Sequence, residues 1–261
     1  MEELLYFCHA KMKEPMKTQM SEENHQVSPN ISVDCSLIGF DGEELRVLLV
    51  RQVGASESEQ ETMYKLPGSL IYVDEDLDEA AKRVLYELTG LKSVPMVQFR
   101  AFGSKNRTRN QKDVGWLERF HSLPNQIDRI ITIAYLALLK IDRKYTRLSH
   151  KYEASWVPVK DVGELAFDHN QILEASLAYV RQYVENSPAV LFDLLPRKFT
   201  AAQLRRLYEI VYDRSFDVRN FHKRISMMKY VVPLEEKEQG VSHRAARYYR
   251  FDRVIYNQMR N

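Results

Sequence analysis

The 261 residues predict a layered α/β domain followed by a small basic module of two helices and a hairpin. Two observations carry this. Across residues 31–186, period-2 alternation and helical spacing follow one another as strands, helix, strands, helix, the order of an α/β layer structure. Residues 196–261 then hold 15 Lys and Arg against 7 Asp and Glu, a balance of +8 on a body whose balance is −6. A compact basic module on an acidic body suggests a polyanionic partner for the last quarter of the chain, against the plainer reading of a solvated basic face.

The elements follow in order. Residues 1–30 begin with a short apolar patch at 4–7 and continue polar without a sustained period, the pattern of a mobile tail. Residues 31–38 alternate like a half-buried strand, Gly39 to Gly42 supply a turn, and residues 45–50 read as the returning strand. After a loop of small and acidic residues comes Tyr64-Lys-Leu-Pro-Gly68. Leu77, Ala81, Val84, Leu85 and Leu88 then repeat at helical spacing, and Gly90 closes the helix. Residues 97–103 and 129–140 read as strands, separated by a long polar loop at 104–128; a loop of that length is often functional. A short strand at 154–158 and a helix at 170–185 complete the layered domain, 31–186. The stretch 187–195 reads as a linker, stiffened by Pro188. In 196–261, Thr200-Ala-Ala-Gln203 is a capping box opening a helix with Leu204, Leu207 and Val211 on its inner side. Asp217 caps a second helix, 218–228. Two β-prone runs, 230–233 and 247–251, complete a winged helix-turn-helix outline.

Composition excludes several classes. Apolar residues are 44% and charged residues 28%, ordinary globular usage. The most membrane-like run, 130–139, is about half the ~20 residues a spanning helix needs and carries Thr132, so it reads as a buried strand. Glu2 and Glu3 precede the first apolar patch, the wrong charge order for a secretory signal, and Cys8 and Cys35 alone permit neither a disulfide framework nor a four-cysteine zinc site. Seven histidines show no metal-ligand spacing, and His169 reads as an organiser of the turn before its helix. A cytoplasmic protein without metal, cofactor or membrane contact is expected.

Residues 68–91 resemble the Nudix box, G-x5-E-x7-R-E-U-x-E-E-x-G-U with U apolar. Glu75, Arg83, Leu85, Glu87, Gly90 and Leu91 fall in place, and the opening glycine is displaced by one residue, to Gly68. The departures matter more. The family places its metal-binding glutamates where this chain has Val84, Glu87 and Leu88. Magnesium wants several oxygen ligands, and without it diphosphate hydrolysis lacks both charge neutralisation and an activated water. The box therefore reads as architecture without catalysis. In the basic module, Val218, Phe221, Ile225 and Met228 are predicted to face inward. Arg219, Asn220, Lys223, Arg224 and Ser226 are assigned to DNA, because arginine and asparagine read guanine and adenine edges and lysine suits phosphate. His243, Arg244 and Arg247 sit on or beside the wing.

An inactive Nudix domain followed by a winged helix is similar to the Nudix-related transcriptional regulators, the NrtR family. Residues 165–169 (Leu-Ala-Phe-Asp-His), Leu194-Leu-Pro196, Phe199-Thr200, Leu207-Tyr-Glu209, Arg219-Asn-Phe221 and Tyr249-Arg-Phe251 carry that resemblance. It implies a Nudix-like mixed-sheet α/β/α sandwich followed by a winged helix-turn-helix domain. It also implies a homodimer on a palindromic operator, released by a small ligand in the Nudix pocket. The lost glutamates resemble the AraR-type branch of Bacteroidetes, which implies L-arabinose as the effector; ADP-ribose is the alternative. Gln98, Arg100 and Arg129 on candidate strands, and Trp116 in the long loop, are the candidate effector contacts. Two other readings remain: an active Nudix hydrolase, which Val84 and Leu88 disfavour, and a protein-binding scaffold, which the outward Arg-Asn-Lys set disfavours.

Overall fold

A computed structural model describes residues 26–52, 63–107, 129–141, 152–240, 242 and 244–260. In chain order the elements are β1 (Val27–Phe40), β2 (Leu45–Gln52), β3 (Gly68–Tyr72), α1 (Leu77–Thr89), β4 (Val97–Phe102), β5 (Ile131–Lys140), β6 (Tyr152–Pro158) and α2 (His169–Asn186). The second domain adds β7 (Phe199–Thr200), α3 (Ala201–Tyr212), α4 (Val218–Met227), β8 (Val231–Lys237), β9 (Arg247–Phe251) and α5 (Arg253–Arg260).

Six strands form one mixed sheet in the order β4-β5-β1-β2-β6, with β3 beside the first half of β1. β1 is the spine. It runs parallel to β5 from Ile31 opposite Ile131 to Phe40 opposite Lys140. Along its other edge it pairs antiparallel first with β3 and then with β2. Strand parity divides its side chains between two layers. Val33, Cys35 and Leu37 pack against Val84, Leu85 and Leu88 of α1, while Ile38 and Phe40 join Ile172, Val180 and Val184 of α2. The sheet is therefore covered by a helix on each face.

β1 begins at Val27, four residues before the alternation at Ile31 and inside the stretch expected to be a tail. Val27 lies opposite Tyr72, and the Val73 N–H donates to the Gln26 carbonyl at 2.9 Å. Pro29 and Asn30 hide this extension, because they break the strand pattern where the register shifts between Val27 and Ser32.

Helix α1 is capped at both ends, and only its Gly90 stop is predicted by the sequence reading. Asp76 and Glu79 make a reciprocal capping box, and Gly90 closes the helix at φ 71°, a left-handed conformation suited to glycine. The same device opens α3, where Thr200 accepts from the Gln203 N–H. In the second domain α3 and α4 pack over a three-stranded sheet, β7-β9-β8. Two features there exceed the sequence reading. Residues 187–195 do not merely link: Pro188–Asp193 is a 3-10 helix, Leu191 and Leu194 are fully buried, and the Phe192 ring stacks on Phe251 at 4.3 Å. The chain also continues past the hairpin into α5, whose first N–H groups, at Val254 and Ile255, donate to the Asp252 carboxylate at 3.1 Å.

Candidate effector domain and nucleic-acid interface

The box-like segment is built around the close approach of β3 to β1. A Cβ on Gly68 would lie 1.7 Å from Asp34 Oδ1, so glycine is required there. From this turn the chain reaches Glu75, whose carboxylate accepts the Tyr72 N–H at 2.8 Å and the Arg83 Nε–H at 2.8 Å. Arg83 also donates to Glu87 at 3.1 Å and to the Leu70 carbonyl at 3.1 Å, and lies over the Tyr72 ring. Burial acts to raise the Glu75 carboxyl, but the Arg83 and Tyr72 donors outweigh it and hold it below the usual carboxylate range. The surviving charged residues of the box thus satisfy one another.

Val84 and Leu88 are buried in the apolar cluster between α1 and β1. Among the described residues no group of three or more His, Cys, Asp or Glu is placed to hold a metal. The magnesium ion that a complete box implies does not fit this residue set.

The candidate effector contacts do not converge. Gln98 lies opposite Tyr135 and Arg100 opposite Ala134, with a register shift between them. Tyr135 belongs to the α1-side cluster and Ala134 to the α2-side cluster, so the two polar residues flank opposite layers of the sheet. The bulge is what puts these two residues, two positions apart, on different faces. Both are exposed at the sheet edge, and the Arg100 guanidinium lies 5.0 Å from the Phe102 ring centre. Arg129 is exposed just before β5; Trp116 lies outside the described residues.

What the structure does bring together is a buried charged cluster that the sequence reading missed. Asp34, Lys65, Arg107 and His169 are each less than a tenth exposed. Arg107 sits 3.0 Å from Asp34 and 3.2 Å from Asp168, and the Lys65 ammonium donates to the Gly68 carbonyl at 2.6 Å. His169 Nδ1 accepts the Leu66 N–H at 2.9 Å, which leaves the proton on Nε2, 3.4 Å from Asp34. Burial pushes His169 down to about 4 and Lys65 down to about 8. For Asp34, burial is outweighed by His169, Arg107, the Thr132 hydroxyl and Lys65, and its carboxyl stays below the ordinary range. One signal could have revealed it: Asp34 stands on the inward parity of the central strand, between Ser32 and Ser36.

The second domain presents α4. Asp217 caps it by accepting the Asn220 N–H at 2.9 Å. Phe221, Ile225 and Met228 are buried as predicted. Val218 is not: it is 54% exposed. Arg219, Asn220, Lys223 and Ser226 are exposed along the outer face. Arg224 is only half-exposed, its guanidinium 5.0 Å from the Tyr208 ring centre and 5.8 Å from that of Phe216, so it packs the helix down. Arg244 and Arg247 are exposed beside the hairpin, with Arg247 3.8 Å from Glu235; His243 lies outside the described residues.

With this geometry in hand, the NUDIX domain model matches residues 29–177, more than half of the chain. The chain belongs to the NUDIX family. Past its NUDIX domain, residues 191–251 match the NrtR DNA-binding winged helix domain. The NUDIX chain is 26% identical over 228 residues to the ADPR responsive transcriptional repressor NtrR of Acinetobacter baylyi, covering 86% of this chain and 82% of that one. Among solved structures it is similar to Shewanella oneidensis NrtR complexed with a 27mer DNA, at 23% identity and TM-score 0.62, covering 85% of this chain and 93% of that one. A MutT/nudix family protein from Enterococcus faecalis is similar at 20% identity and TM-score 0.59, covering 89% and 90%. These likenesses establish the two-domain fold: a NUDIX mixed sheet followed by a winged helix.

Proposed function

We propose that this chain is a ligand-responsive transcriptional repressor, in which the NUDIX domain takes the effector and the winged helix binds operator DNA. The observation that carries the reading is the exposed Arg219-Asn220-Lys223 face of α4, continuous through a buried joint with a NUDIX domain that has aliphatic Val84 and Leu88 at two of the three metal positions. The reading includes a homodimer on a palindromic operator, matching the two-fold logic of helix-turn-helix recognition, and a cytoplasmic location. Among the described residues no helix is long and apolar enough to cross a membrane.

For the effector, ADP-ribose replaces L-arabinose as the favoured ligand. The relative that spans both domains is named for its response to ADPR, and among the described residues no constellation on the NUDIX sheet singles out a pentose. Loss of two of the three metal glutamates does not argue against a diphosphate, since arginine donors bind phosphate oxygens without a metal. The same loss supports a protein without hydrolase activity.

Fluorescence anisotropy of a labelled duplex recovered by the protein from a randomised pool tests the reading. ADP-ribose should release the duplex while L-arabinose does not, and ADP-ribose should survive incubation with protein and Mg²⁺ or Mn²⁺. Release by L-arabinose alone would restore the sugar reading. Metal-dependent turnover near ~1 s⁻¹ would make the protein an enzyme.

A further inference from the structure

Helix α4 carries an apolar side chain where a reading helix first meets bases. Val218 is the first residue of α4, follows the capping Asp217 and is 54% exposed. It stands immediately before Arg219 and Asn220, both exposed. Three constraints act on it. Recognition helices present their N-terminal residues to base edges. A Val side chain has no donor or acceptor for an edge, so its favourable contact in the major groove is with the C5-methyl of thymine. Its branched Cβ is stiff at χ1, so that contact would be sharply positioned. The helix has one other strongly exposed apolar residue, Met227, 66% exposed at its last position. Nine residues at 1.5 Å each place it ~14 Å along the axis, away from the entering end.

We propose that Val218 is a specificity-determining residue that reads a thymine methyl group, next to the base pairs read by Arg219 and Asn220. The inference rests on the DNA-binding reading and adds to it a requirement for one thymine per half-site whose only recognised feature is its methyl. Burying one methyl against a valine is worth roughly a three- to fivefold change in affinity, from ~0.8 kcal/mol per buried carbon.

The test uses the full chain and a duplex it selects from a randomised pool. Each thymine is then replaced in turn by deoxyuridine, which removes the methyl and leaves every hydrogen-bonding group. At one position per half-site the wild-type protein should lose about three- to fivefold in affinity. Val218→Ala should bind the thymine and uracil duplexes equally, and Met227→Ala should keep the penalty. A wild-type scan in which every substitution is tolerated would overturn the proposal, and so would a penalty retained by Val218→Ala or lost only in Met227→Ala. The wild-type scan needs no variant, so it is independent of whether the variants fold. If no duplex is enriched, the DNA-binding reading fails and this inference fails with it; a duplex enriched but insensitive to uracil sinks this inference alone.

Discussion

Arg107 illustrates how single residues set the stability of the NUDIX domain. Its guanidinium is buried between Asp34 and Asp168. Removing one partner of a buried ion pair leaves an uncompensated charge, which costs about 3–5 kcal/mol. Arg107→Ala should therefore lower unfolding free energy in urea by that amount; a loss below ~1 kcal/mol, typical of exposed pairs, would show that the buried pairs do not stabilise the fold. The same cluster makes stability fall with acid. Folded His169 titrates at about 4, mainly because it is buried, whereas an unfolded histidine titrates near ~6.5. As the pH drops through that window the unfolded chain takes up a proton that the folded chain refuses. Folding is thereby weakened progressively, by on the order of 3 kcal/mol at the acid end. Asp34, held low when folded, contributes stability above its unfolded value that is lost as pH falls through the folded one. Urea titrations between pH 7 and 4 should show this decline, and His169→Gln should flatten it relative to wild type; an unchanged slope would contradict the assignment. In the sequence His169 is legible as a turn organiser, but its partners lie about 60 to 135 residues away. Only the pairing of β1 with β3 and the return of residue 107 bring them together.

At the scale of elements, local signals that carry their own chemistry were readable. The Thr200–Gln203 capping box, the Gly90 stop and the three-residue anchor Phe221, Ile225 and Met228 are written in side chains a few positions apart. What tertiary pairing decides was not. The first turns of β1 are hidden by Pro29, the 3-10 joint draws its order from burying Leu191 and Phe192, and α5 starts from an Asp252 cap just past the hairpin. The same distinction governs α4. Spacing gave its outer Arg219, Asn220 and Lys223, but not the inward tilt of Arg224 over Tyr208 or the exposure of Val218. Arg219→Ala or Asn220→Ala should cost ~1–3 kcal/mol on a selected duplex and relax base preference locally. Lys223→Ala should instead weaken all sequences alike and reduce the salt slope by about one. Binding isotherms at several salt concentrations separate the two patterns. Three variants indistinguishable from wild type would remove α4 from the interface.

The whole molecule is held as one packed body across the domain boundary. α2, the 3-10 segment and the winged helix share a single apolar cluster that includes Val184, Leu191, Phe192, Phe199 and Leu207. Arg206 of α3 donates to the Glu43 carbonyl at 2.9 Å, tying the winged helix to the β1–β2 turn. A crevice of about 340 Å³ remains between Leu177 and Val180 on one side and Ile210 and Val211 on the other. The buried Asp34–Arg107–Asp168 cluster fixes the start of α2, and the far end of α2 leads directly into the joint. On the proposed repressor reading, an effector that favours one arrangement of the NUDIX domain would bias the spacing of two reading helices, which in a dimer must match about one DNA turn, ~34 Å. The extent of that bias is limited by the effector's differential affinity for the two arrangements, and it must be reciprocal. Calorimetric titration of ADP-ribose into the free protein and into the protein–duplex complex measures this coupling. ADP-ribose should bind the complex more weakly, by the same factor by which it weakens the duplex; equal affinities in the two titrations would contradict the coupling of the domains.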